Sequence, residues 1–137
     1  IFKMTMLIDD LKKEHVLISA LLKEIQIAGI SSKEGKEKLL TAKKGLLAHL
    51  KKEDEYLYPV LKKAAEADLP IRKTLDLFAK EMKGVSELAL KFFDKYSRDE
   101  AAGMEFAKDF GRLLANLGSR VRKEENILYK VYEKVAR

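Results

Sequence analysis

Apolar residues recur at alternating steps of three and four along four long stretches of the 137-residue chain, a period that fits helices and not strands. The first stretch runs from about Thr5 to Ile27, with Leu11, Ile18, Leu22 and Ile25 on its stripe. A turn at 29–32 follows, and Ser31 and Glu34 have the Ser-x-x-Glu spacing of a capping box. The second stretch carries Leu39, Ala42, Leu46, Tyr56 and Val60 and ends near Asp68. Pro59 lies inside it, which predicts a kink or a lengthened hydrogen bond rather than a clean end. Pro70 suits the first turn of a third helix, with Ile71, Leu75, Phe78, Val85, Ala89 and Phe92 on its stripe. Ser97 and Glu100 form a second capping box, and the fourth stripe is Phe106, Phe110, Leu113, Leu117, Ile127 and Val131. Short connections force successive helices to lie antiparallel. The expected fold is all-α, an up-down-up-down four-helix bundle forming one domain over residues 1–137.

Composition agrees. Only 7 Gly and 2 Pro argue against a turn-rich β architecture, and the absence of cysteine removes disulfide scaffolds, zinc ribbons and thiol nucleophiles. A chain 47% hydrophobic and 36% charged is not expected to be disordered, and its uncharged runs stop well short of the ~20 residues of a spanning helix. Residues 1–6 are a short apolar stub running straight into helical pattern, so no secretory leader is read and a soluble, cytoplasmic protein is expected. The net charge of +6 raises a nucleic-acid partner, but the basic residues alternate with acids, as in Lys51, Lys52, Glu53, Asp54 and Glu55. That is the mixture of a solvated helix face, and no nucleic-acid or membrane partner is expected.

The chain also repeats itself. Residues 49–60 (HLKKEDEYLYPV) align with residues 120–131 (RVRKEENILYKV) at a spacing of 71, with Lys52/Lys123, Glu53/Glu124, Leu57/Leu128, Tyr58/Tyr129 and Val60/Val131 identical. Lys13, Glu14, His15 and Ser19 likewise align with Lys80, Glu81, Met82 and Ser86 at a spacing of 67. A duplicated helix pair with pseudo-twofold symmetry is the simplest source.

Polar residues interrupt the apolar stripes at corresponding levels. His15 falls between Leu11 and Ile18, His49 and Glu53 follow Leu46, and Arg120 and Glu124 follow Leu117, while Met82 follows Phe78. The repeat places all six in one layer near mid-bundle, and both histidines of the chain are among them. Buried acids and imidazoles need a metal or each other. Residues at i and i+4 share a helix face, so His-x-x-x-Glu on one helix, opposite a carboxylate on another, can point at one ion.

In these segments, 10–15 (DLKKEH), 49–59 (HLKKEDEYLYP) and 120–129 (RVRKEENILY), the sequence resembles the hemerythrin-like, or HHE cation-binding, family. The resemblance implies a four-helix bundle around a non-haem di-iron centre, held by histidines from all four helices and two bridging carboxylates, in proteins that bind oxygen or act in nitrosative-stress and iron-related chemistry. His15, His49, Glu53 and Glu124 match that pattern. Met82 and Arg120 stand where the third-helix and fourth-helix histidines belong, and both belong to the same iron.

Two readings follow. In one, His15, His49, Glu53 and Glu124 hold a single ion (Fe, Zn or Mn), with metal or small diatomic-ligand (O2 or NO) sensing or handling as the function. Arg120 then replaces the charge of the second iron, its planar fork taking both oxygens of one acid. In the other, Arg120 pairs with Glu53 and Glu124, no metal binds, and the bundle is a structural or interaction module. No catalytic residues are assigned in either, since no Ser-His-Asp arrangement or phosphate loop is present. Tyr58 and Tyr129 read as packing residues, with a channel-lining role as the lesser alternative.

Overall fold

The computed structural model describes residues 2–98 and 103–136, and the side chains of 6–97 and 103–136. Four helical rods make up the described residues in sequence order. The first is α1 (Phe2–Ala28). The second joins α2 (Lys33–Lys52) to α3 (Tyr58–Ala65) through a π-helical turn, Glu53–Leu57. The third is α4 (Leu69–Arg98). The fourth joins α5 (Met104–Lys123) to α6 (Tyr129–Val135) through a second π-helical turn, Glu124–Leu128. Among the described residues there is no strand, and no helix is long and apolar enough to cross a membrane.

The two π-turns lie at equivalent points of the repeat. In each, the amide of a tyrosine (Tyr58 or Tyr129) donates to the carbonyl of the glutamate five residues earlier (Glu53 or Glu124). The distortion near Pro59 is therefore a feature of the repeat and not of the proline, because Lys130 holds the corresponding place in the second copy. One wide turn moves the buried stripe on by one residue. Tyr56, expected inside, is 58% exposed, and Leu57 and Leu61 are buried instead. Ile127, also expected inside, is 44% exposed beside a buried Leu128. Val60 and Val131 are only partly buried, packing at the margin of the core.

The first cap is also one residue later than expected. Ser32, in extended backbone, accepts the Gly35 amide at 3.0 Å and starts α2 at Lys33. This satisfies one of the amides orphaned at a helix start. The proposed cap at Ser97 and Glu100 lies partly outside the described residues; α5 is preceded by Gly103 at φ 76°, with no side-chain cap.

The apolar interior consists of two clusters. One holds Ile18, Leu22, Leu39, Leu46, Phe92, Phe93, Phe110 and Leu113, with Phe92 and Phe110 ring centroids 5.9 Å apart. The other holds Ile8, Leu11, Leu57, Leu61, Phe78, Met82, Leu128 and Tyr132. Tyrosines aside, His15, His49, Glu53, Arg120 and Glu124 are the buried polar or charged side chains among the described residues, and along their helices they fall between the two clusters.

Candidate metal centre

Helix periodicity sets the positions of these five residues. On α1, His15 follows Leu11 and precedes Ile18, so it faces the axis with them. His49 and Glu53, and likewise Arg120 and Glu124, are separated by four residues, on the last turn before each π-turn and at its first residue.

The imidazoles converge. His15 Nε2 lies 3.1 Å from His49 Nε2 and 3.1 Å from Glu124 Oε1. Their other nitrogens are held from outside the layer: His15 Nδ1 donates to Glu125 Oε2 at 2.7 Å and His49 Nδ1 to Glu14 Oε1 at 2.8 Å. A carboxylate that grips one ring nitrogen fixes the tautomer and aims the other nitrogen's lone pair. Neither Glu14 nor Glu125 was anticipated, because each sits beside a site residue in sequence and resembles an ordinary surface charge. Lys52 pairs with Glu14 in turn.

The carboxylates split in their roles. His15, His49 and Glu124 each offer a donor atom within 4.8 Å of the others, whereas Glu53 stands outside that group. Its Oε1 is 3.6 Å from His49 Nε2 and 3.5 Å from Arg120 Nη2, and its Oε2 accepts the Tyr129 hydroxyl at 2.9 Å. Tyr129 also lies 3.2 Å from His15 Nε2, which makes it a member of the polar layer rather than mere packing. Its identity with Tyr58 in the repeat was the available signal. The wide π-turn brings residue i+5 back toward the face of residue i, so the hydroxyl reaches the layer.

Arg120 occupies the opposite half. Its fork does not close on one acid; Nη2 reaches Glu53 and Nε reaches Glu124 Oε2, each at 3.5 Å. Nη1 donates to Ser86 Oγ at 2.8 Å and to the Met82 carbonyl at 3.4 Å. Met82 is buried and its sulfur accepts the Tyr58 hydroxyl.

Charge states follow from these neighbours. Burial opposes a charge on His15, but Glu124 and Glu125 outweigh it and raise the imidazole above its ordinary value. Burial, with the charge of His15, lowers His49. Burial and the neighbouring Glu124 hold Glu53 well above the carboxylate range. Burial works against Glu124 too, but bonds from His15 and Glu53 keep it low. Burial raises the Tyr129 phenol, aided by Glu124 and Glu53, so it donates as a neutral hydroxyl. Without a metal these directions set Glu53, which favours its proton, apart from Glu124, which favours its charge.

Four rods packed around a buried histidine–carboxylate layer define a class: helical bundles in which facing helices build a cation site. A family model, the hemerythrin HHE cation-binding domain, matches residues 6–132, and the chain belongs to that family. No curated protein and no solved structure matches it.

Proposed function

We propose that this protein is a cation-binding domain with one surviving half of a two-ion centre, holding a single Fe, Zn or Mn ion on His15, His49 and Glu124. Glu53, once deprotonated, would complete the set. The observation that carries this reading is the 3.1 Å approach of two Nε2 atoms whose Nδ1 partners are both carboxylates. Two neutral imidazoles held this way would face each other lone pair to lone pair, so the pocket requires a cation between or beside them. In the metal-free protein a proton held at this contact would serve, and the same donors suit a metal ion. A bound ion supplies Lewis acidity and, if iron, a redox centre. The chain's own residues orient the imidazoles (Glu14, Glu125), anchor Glu53 (Tyr129) and neutralise the carboxylates (Arg120). With one ion, the role is sensing or handling of the metal or of a diatomic ligand such as O2 or NO; two-electron dioxygen binding by paired irons is not expected.

The rival reading is a metal-free layer that fixes helix register, and Arg120's contacts with both glutamates favour it. Protein purified without chelator and reloaded anaerobically with Fe(II) separates the two. Uptake of about one ion per chain, abolished by His49→Ala, supports the half-site. No uptake in either preparation leaves the register-fixing layer.

A further inference from the structure

His15, His49 and Glu124 also line a cavity of about 250 Å³ between α1, α2 and α5. Its walls are apolar, with Ile18, Leu22, Leu46 and Leu117 among them, while Ser19 and Arg122 at its edge are exposed. Gly118 contributes to the α5 wall, where an added Cβ would meet only the end of the Arg122 side chain, at 3.3 Å. A mid-helix glycine costs about 1 kcal/mol relative to alanine, and here it leaves the wall open. An apolar cavity of about 150 Å³ already holds benzene, so this one exceeds the needs of a diatomic molecule. At its polar floor Arg120 offsets Glu124, so the attraction for an anion would come from Arg122 at the rim and from a cation held by the histidines.

Resting on the single-ion reading, we propose that the cavity takes a small monocarboxylate with an apolar body, the size of hexanoate or benzoate. The carboxylate meets the ion at His15, His49 and Glu124, and the body lies against Ile18, Leu22, Leu46 and Leu117. The recognition combines one oxygen donor for the metal with apolar burial for the tail.

The test uses the full chain loaded with Co(II), whose visible spectrum reports exogenous ligands, titrated with acetate, butanoate, hexanoate and benzoate. Affinity is expected to rise about fourfold per methylene. Gly118→Leu on α5, or Ser19→Leu on α1 should the first misfold, is expected to abolish the chain-length dependence while leaving Co(II) stoichiometry unchanged. Equal affinity for acetate and hexanoate, or a series unaltered in both filled variants, overturns the carboxylate proposal alone. Failure to take up Co(II) overturns the ion site and this proposal together.

Discussion

The two halves of the polar layer lie on two copies of the same repeated sequence yet make different contacts. In the first, Glu14 grips His49 and Lys52 grips Glu14; in the second, Glu81 stands at the Glu14 position and pairs with Lys123 at 2.8 Å. Tyr129 hydrogen-bonds near His15, and Tyr58 hydrogen-bonds to Met82, the counterpart of His15. Scaffold, π-turn, tyrosine and flanking ion pair survive in both copies. The halves differ at Met82 and Arg120, where a thioether and a guanidinium stand, and at Glu125, which grips His15. The π-turn, tyrosine and ion pair thus accompany imidazoles in one half and a guanidinium in the other, since they also satisfy buried backbone and side-chain groups.

The comparison breaks most visibly at Arg120. Arg120→Ala removes the buried guanidinium from ionised Glu124 and from Glu53 and Ser86, and metal-free stability is expected to fall by about 3–5 kcal/mol in urea unfolding. Met82→Leu in the same half should cost less than about 1.5 kcal/mol, because it keeps the volume and loses only a weak acceptor. Similar losses for the two would contradict the assignment of Arg120 as the electrostatic keystone of its half.

The tyrosines give a smaller contrast. Tyr129→Phe removes a donor from buried Glu53 and is expected to cost about 1–3 kcal/mol, whereas Tyr58→Phe releases only a sulfur acceptor and should cost about 0.5 kcal/mol. Thermal or denaturant unfolding of the paired variants measures the ordering.

The mildest effect concerns pH. Glu53 is raised above its unfolded value of 4.5 by burial and by Glu124, so the native state keeps a proton that the unfolded chain releases. Its contribution is fully present below that unfolded value and is lost as pH rises toward the folded one. Metal-free stability should therefore decline across the neutral and alkaline range, and Glu53→Gln should flatten that slope. Ion affinity should move the opposite way, rising with pH, because metal and protons compete for the same ligand atoms.

Much of this was legible before the fold was known. Helix period placed His15, His49, Glu53, Arg120 and Glu124 inside, and the repeat placed them in one layer. What it could not register was the π-turn: a fixed 3.6-residue period carried through 53–57 and 124–128 arrives one residue early, at Tyr56 and Ile127. The same one-residue offset applies to the cap at Ser32. Glu14 and Glu125 stayed hidden because their roles depend on contacts between rods, which no local pattern encodes. Arg120's division between two acids joins a same-rod contact, Glu124 at i+4, to an inter-rod contact with Glu53.

The most direct test counts ions in two proteins under identical anaerobic loading, by elemental analysis: the natural chain, and the chain carrying both Met82→His and Arg120→His. One ion in the first and a second gained in the other is the expected result. Two tightly held ions in the natural chain, or none in either, would contradict the picture of one retained half-site and one replaced by a guanidinium.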